Sequence, residues 1–204
     1  MDSGINIQTW PLYGMYQPDV LTSYTVNGQT YIISANEGDA RAYPGYSEEF
    51  RVNHISFDNN VFYNANFLSL QENLGRLRIS TALGDDNNDG KFECLYAYGA
   101  RSFSIWNENI SLVYDSGSDF ERITSVQIPS LYNSELGLTS EFDQRSDNKG
   151  PEPEAAAVAK INGQYYAFIG LERTGGVMVY NVNDPQNPYF VYYIPAQTGD
   201  ASPE

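Results

Sequence analysis

Nine consecutive residues, Asp85-Asp86-Asn87-Asn88-Asp89-Gly90-Lys91-Phe92-Glu93, carry the most specific chemistry in this sequence. Counted from Asp85, side-chain oxygens recur at positions one, three, five and nine, as Asp85, Asn87, Asp89 and Glu93. Gly90 at position six permits a sharp turn, and the carbonyl of Lys91 at position seven adds another hard oxygen. Oxygen ligands at this spacing wrap a calcium ion, so Ca2+ is expected here on Asp85, Asn87, Asp89, Lys91 and Glu93, with the weak affinity of extracellular modules. Tyr96 stands where a helical EF-hand carries its twelfth-position acid, and both flanks read as strands. Asp, Asn and Gly also dominate ordinary turns, so a metal-free acidic turn is the competing reading.

A second set of charges is spread along the chain. Glu37, Asp39 and Arg41 fall in Asn36-Glu37-Gly38-Asp39-Ala40-Arg41; Glu152 and Glu154 fall in Lys149-Gly150-Pro151-Glu152-Pro153-Glu154; and Glu172 precedes Arg173. All stand where strands begin or end, which in a propeller is the lining or mouth of the central channel. Converging carboxylates there would hold a metal, while Arg41, Arg101, Arg145 and Arg173 would grip an anion or neutralise the acids. A lattice of buried Arg–carboxylate pairs is an equal reading.

Other catalytic arrangements find little support. The single histidine, His54, lies in Arg51-Val52-Asn53-His54-Ile55 with no nucleophile-elbow motif in the chain, and reads as a strand or loop residue. The single cysteine, Cys94, excludes an intrachain disulfide and reads as core between Phe92 and Leu95. Eleven Lys and Arg face 26 Asp and Glu, a formal charge of −15 that repels a phosphate backbone and excludes nucleic acid as an expected partner. No apolar run approaches the ~18 residues of a membrane helix. Met1-Asp2-Ser3-Gly4-Ile5 lacks the basic and apolar regions of a secretory signal, so export would rest on a segment outside this sequence.

The elements that must position these residues are short apolar and β-branched runs punctuated by Asn-Gly, Gly-Gly and Asn-Pro, with almost no helical periodicity. The chain is expected to be all-β, and its 17 tyrosines suit pleated, half-buried surfaces. A repeat organises it. Pro18-Asp19, a strand to Val26, Asn27-Gly28-Gln29 and a strand ending on Glu37 recur without a gap 135 residues later. There the copy reads Pro153-Glu154, a strand to Ile161, Asn162-Gly163-Gln164 and a strand ending on Glu172. Asn-Gly turns of this kind close tight hairpins. Two further strands, Val177 to Val182 and Tyr189 to Ile194, complete four antiparallel strands, the content of a propeller blade.

Gly75 to Ser80, Glu93 to Ala100, Ser102 to Trp106 and Ser111 to Asp115 are expected to supply another such unit. The reading is one β-propeller segment over residues 1–204, with approximate blades 18–70, 75–117 and 153–196. About three four-stranded antiparallel blades are too few to close a ring of ~4–8, so this is a partial propeller. Pro203-Glu204 reads as the opening of the next repeat. The expected partners are the remaining propeller blades or another copy of the chain, together with an extracellular protein or glycan ligand. An open β-sandwich is the competing architecture.

Several long motifs carry a family likeness: Ile5 to Pro11, Gly14 to Asp19, Ala35 to Arg41, Gly99 to Trp106, Arg145-Ser146-Asp147, Lys149 to Glu154 and Ala167 to Arg173. Through them the chain resembles the choice-of-anchor I family, whose animal relatives are described as mesenchyme-specific cell surface glycoproteins. The resemblance implies an extracellular or surface-anchored β-propeller. Some bacterial relatives carry alkaline phosphatase labels, although no catalytic residue transfers to these positions. Asn148 departs from the family pattern of an acid after Asp147, and Ala155 from a Gly after Pro-Glu. Asn109-Ile110-Ser111 is the single glycosylation sequon. The expected function is a calcium-binding binding or adhesion module. The alternative is a metal-dependent phosphoesterase, alkaline phosphatase- or phytase-like, with a carboxylate-lined channel.

Overall fold

The computed structural model describes residues 4–196. The expected repeat opening at Pro203-Glu204 lies outside them. Among the described residues fourteen strands follow one another: β1 (Tyr13–Gly14), β2 (Val20–Val26), β3 (Gln29–Ala35), β4 (Ala42–Tyr43), β5 (Tyr46–Ser47), β6 (Glu49–Arg51), β7 (Arg78–Ser80) and β8 (Tyr96–Ala97). They continue as β9 (Phe103–Asn107), β10 (Leu112–Asp115), β11 (Pro153–Ile161), β12 (Gln164–Leu171), β13 (Val177–Asn181) and β14 (Tyr189–Ile194). Two short helices interrupt them, α1 (Ala65–Leu68) and α2 (Asp119–Gln127). The fold is therefore all-β with few helices.

The strands form three four-stranded sheets, ordered β10-β9-β3-β2, β11-β12-β13-β14 and β1-β8-β7-β6, and a small β4-β5 ribbon. The first two open on the repeated hairpin. Asn27 (φ +52°) with Gly28 (φ +78°), and Asn162 (φ +50°) with Gly163 (φ +84°), adopt the paired left-handed backbone that a two-residue turn needs to match strand twist. The β11–β14 sheet is fully antiparallel and built from consecutive strands, as its sequence indicates.

The middle of the chain pairs differently from the expectation. The strands read as one unit over 75–117 are divided between two sheets. β9 and β10 complete the first hairpin, with Ile33 opposite Ile105 and Ala35 opposite Phe103. β7 and β8 instead join β6 and β1, and β1 pairs with β8 in parallel. Residues 36–102 are thus inserted between the second and third strands of the first sheet. Glu93 to Ala100 contains only the two-residue strand Tyr96–Ala97. The 18–70 stretch is likewise split, β2 and β3 in one sheet and β6 in another.

α2 is a second departure. Its buried face rests on Phe120 and Thr124, with Ile123 packed against the same core, a spacing of three and four residues too short to register as periodicity. Asp119 and Glu121 lie in its first turn, where the helix dipole favours anions. Phe120 fills the main core beside Phe103 and Tyr180.

That core lies between the two repeat sheets. Tyr24, Ile33, Phe103 and Ile105 from one meet Ala167, Ile169, Met178 and Tyr180 from the other. The Tyr24 hydroxyl donates to the Val182 carbonyl at 3.0 Å, which satisfies its one polar atom within the apolar layer. A separate core of Val52, Phe57, Leu68, Leu77, Ile79 and Leu95 supports the inserted region.

The repeat reveals an asymmetry. Ile33 and Ala35, fully buried by the second sheet, correspond to Phe168 and Gly170, which are only partly covered. On that outward face Ala157, Phe168, Val179 and Tyr192 form one cross-strand row, and Ala155, Gly170, Val177 and Ile194 form the next. Tyr192 is 61% exposed and Ile194 50%. Val179 in the same row is buried, so a face fully covered in the first copy is only partly covered in the second, and most exposed at β14.

Candidate functional site

Packing the repeat sheets together brings the heads and tails of their first hairpins to one end. Asp19 precedes β2, Glu37 follows β3, Glu152 and Glu154 flank the start of β11, and Glu172 follows β12. A register shift between Pro153 and Ala155 sets Glu154 out of the ladder. Glu152 adopts a left-handed backbone at φ +55°, an unfavourable conformation for a side-chain-bearing residue, and its side chain is fully buried. The Glu172 amide donates to the Glu152 carbonyl at 2.8 Å and ties the two acids together.

Carboxylate oxygens of Asp19, Glu37 and Glu154 lie within 4.8 Å of one another, as do those of Glu37, Glu152 and Glu172. These are the metal-capable groupings of His, Cys, Asp and Glu among the described residues. Like charges this close need compensation, and three cations supply it. Lys149 Nζ is ion-paired with Glu37 and lies 3.3 Å from Glu152 Oε2. Arg145 grips Glu152 Oε1, with Nε at 2.6 Å, and Glu135 Oε2 at 2.9 Å. Arg173 reaches Glu172 at 3.0 Å, Glu152 at 3.8 Å and Glu135 at 3.9 Å.

Burial pushes the Glu37 carboxyl up to about 7 against the opposing pull of Lys149, with Glu152 and Asp19 adding to the rise. Burial lowers the Lys149 ammonium, but the hydrogen bond to Glu37 and the Glu152 charge outweigh that and hold it above its ordinary range. Burial likewise raises Glu172. The cluster is a proton-responsive, ion-paired knot at the junction of the two repeats.

Five of the seven expected channel residues meet here or beside it: Glu37, Glu152, Glu154, Glu172 and Arg173. Asp39 is exposed, caps the Ala40 amide at 2.8 Å and contributes charge near Lys149. Arg41 turns elsewhere and forks onto Glu48, with Nε at 2.9 Å. Arg101 holds Glu121 at 2.8 Å and the Ser146 and Asn148 carbonyls. The sequence reading passed over Lys149 and Glu135. Lys149 is one of three lysines in the chain and stands three residues before Glu152 in the acid-rich 149–154 segment.

The 85–93 loop forms a compact exposed turn apart from this knot. Asp85 accepts the Asp89 amide on Oδ1 at 3.0 Å and the Gly90 amide on Oδ2 at 2.9 Å. Glu93 accepts from the Asp86 amide at 2.8 Å and from Asn87 Nδ2 at 2.7 Å. Gly90 takes φ +85°. Asp85 thus holds the backbone of Asp89 and Gly90 while Glu93 separately holds Asp86 and Asn87; the side chains carry the oxygen ligands a hard cation takes, and their three carboxylates are not gathered within 4.8 Å of one another. Its flanks are irregular rather than paired strands, because the Gly84 carbonyl accepts both the Glu93 and Cys94 amides. Cys94 is half-buried, and His54 is exposed in a 3-10 turn. Asn109 is exposed in the turn between β9 and β10. Among the described residues no helix is long and apolar enough to cross a membrane.

Comparison with known proteins fits this framework. Gigasin-3a of Magallana gigas is 40% identical over 115 residues, covering 54% of this chain and 40% of that protein. The mesenchyme-specific cell surface glycoprotein of Strongylocentrotus purpuratus is 25% identical over 225 aligned positions, covering 94% of this chain and 29% of that protein. The chain therefore spans well under half the length of either relative. No solved structure gives a significant match. The choice-of-anchor I domain matches residues 1–185, more than half of the chain, and the protein belongs to the choice-of-anchor I family.

Proposed function

We propose that this chain forms part of an extracellular or cell-surface β-propeller and serves there as a calcium-stabilised binding or adhesion module. The observation that carries the calcium reading is the 85–93 loop, where Asp85 and Glu93 fold the chain around a glycine turn and four oxygen-bearing side chains stand at ligand spacing, for an ion to draw in. Bound Ca2+ would replace the internal hydrogen bonds of Asp85 and Glu93 with stronger metal–oxygen contacts and offset part of the −15 charge. The surface location draws on membership of the family and on the name of the sea-urchin relative. The propeller reading draws on three four-stranded sheets and on the repeat face left partly uncovered by β11–β14.

Thermal unfolding with calcium and with chelator tests the module. The melting temperature should rise with calcium in the wild type and remain fixed in the Asp85→Ala/Asp89→Ala variant. Equal melting in calcium and chelator for the wild type would overturn the calcium reading.

The carboxylate groupings around Glu37 support the second reading, a metal-dependent phosphoesterase. Against it, Lys149 and Arg145 are already committed to Glu37 and Glu152, which favours an ion-paired lattice over an open catalytic channel. Turnover of phosphate esters in excess calcium, lost in Glu37→Gln, would reverse that preference.

A further inference from the structure

A cavity of about 240 Å³ opens between residues 4–12, the 71–77 segment, the start of α2 and the 143–147 segment. Its lining includes none of the calcium-loop residues and none of the carboxylates around Glu37, although Arg101 is one of the arginines of the anion-gripping reading. Its size falls below the ~300–1,000 Å³ typical of drug-sized ligands, which limits an occupant to about one ring.

The chemistry of its walls narrows the class. The apolar part of the lining includes Trp10, Leu12 and Leu77. Trp10 is half-buried and packs against the core of the inserted region, and its indole combines a flat apolar face with a polar edge. The lining also carries two ion pairs. Arg76 holds Asp147 Oδ2 at 2.7 Å, and Arg101 holds Glu121 Oε1 at 2.8 Å. Each carboxylate keeps a second oxygen with acceptor capacity, and each guanidinium has further N–H donors. Gln8 and Asn73 add amides; their nitrogens already donate to Asn6 Oδ1 and the Phe67 carbonyl, and each keeps a second N–H and its oxygen.

Four acids against two arginines in the lining repel a phosphate, and the arginine-held Asp147 and Glu121 are poor ligands for a divalent cation. Interleaved donors and acceptors match hydroxyl groups, each of which does both. A lining that combines an indole with such an array suits a ring with one C–H face and a hydroxyl rim. We propose that this cavity binds a neutral saccharide, one pyranose ring deep, with Trp10 as its stacking wall. The inference gives a place and chemical class to the ligand of the binding module, and it does not depend on the calcium loop.

The chain has two tryptophans, and Trp106 is held elsewhere by Ser34 and Tyr16, so the Trp106→Phe variant isolates the fluorescence of Trp10. The whole chain, kept in chelator, is titrated with methyl glycosides of glucose, galactose, mannose, fucose and N-acetylglucosamine, and separately with inorganic phosphate. At least one glycoside should give a saturable change with half-saturation at about 1–10 mM, as one ring in a small pocket allows. Saturation-transfer NMR should show that glycoside signal lost in Trp10→Ala, weakened at least threefold in Gln8→Ala and kept in Trp106→Phe. Gln8 is exposed, so its variant reports on the site even if Trp10→Ala unfolds. No saturable response to any glycoside at about 100 mM, undiminished binding in both Gln8→Ala and Trp10→Ala, or a response to phosphate alone would overturn the proposal. Glycoside binding in chelator alongside calcium-independent melting would sink only the calcium reading.

Discussion

Glu37 and Glu172 occupy equivalent positions of the two repeats, 135 residues apart, and carboxylate oxygens of both lie within 4.8 Å of each other and of buried Glu152. Each closes the second strand of its hairpin, so packing one repeat against the next brings the two acids together. Lys149 on Glu37 and Arg173 on Glu172 are the compensating cations. The charges at this junction are consequences of the repeat, and their behaviour is open to measurement.

Glu37 makes stability depend on pH. Burial raises its carboxyl from 4.5 to about 7, so between those values the folded chain holds a proton that the unfolded chain has released. Its contribution is fully present below pH ~4.5 and falls as pH rises to about 7. Lys149 acts in a separate window, because its raised value gives stability that is lost only on alkaline titration. Calorimetric melting at pH 5 and pH 7.5 should show a smaller drop in Glu37→Gln than in the wild type. An equal drop would remove Glu37 as the responsive group.

Arg145→Ala should cost about 3–5 kcal/mol, because it strips the principal partner from a carboxylate with no solvent exposure. Adding Glu152→Gln should restore part of the loss, since a neutral amide tolerates burial better than an unpaired charge. Urea unfolding of the single and double variants measures both steps. Additive losses would show that the pair does not couple.

Backbone positions around the knot are sterically closed. A Cβ on Gly99 would lie 1.8 Å from the Glu37 carbonyl oxygen, and one on Gly38 would lie 2.0 Å from the Gly99 amide nitrogen. Gly163, in the second hairpin turn, has open space around it despite φ +84°. Gly163→Ala should cost only the left-handed backbone term, about 1–2 kcal/mol. Gly99→Ala and Gly38→Ala should cost clearly more in thermal or urea unfolding, and a cost equal to that of Gly163→Ala would contradict the close approach.

The partly uncovered face of β11–β14 should drive association. Light scattering at micromolar concentration is expected to show species larger than a monomer, reduced by Phe168→Glu or Tyr192→Glu. Leu21→Glu, at a residue 62% exposed on the other repeat sheet, should leave the distribution unchanged. A monodisperse wild-type monomer with one cooperative melt would show that the fold needs no cover there and that the propeller reading is wrong.

Local chemistry was legible in the sequence alone. Asn27-Gly28 and Asn162-Gly163 specified their hairpins because few residues other than Asn and Gly enter left-handed backbone cheaply. The recurrence over 135 residues identified the equivalent strands, and the run from β11 to β14 followed because its neighbours in sequence are its neighbours in the sheet. The spacing of Asp85, Asn87, Asp89 and Glu93 was likewise readable, since one loop contains them all. Tertiary structure decided what depends on distant pairing. That β3 takes β9 across an insertion of residues 36–102 could not be read from periodicity, because any apolar strand of suitable length satisfies the same pattern. The helix Asp119–Gln127 escaped notice because tertiary burial of Phe120, rather than a long amphipathic repeat, stabilises it. The fates of Arg41 and Lys149 were fixed in the same way: spacing placed both near acids, but only the packed backbone sent Arg41 outward to Glu48 and Lys149 inward to Glu37.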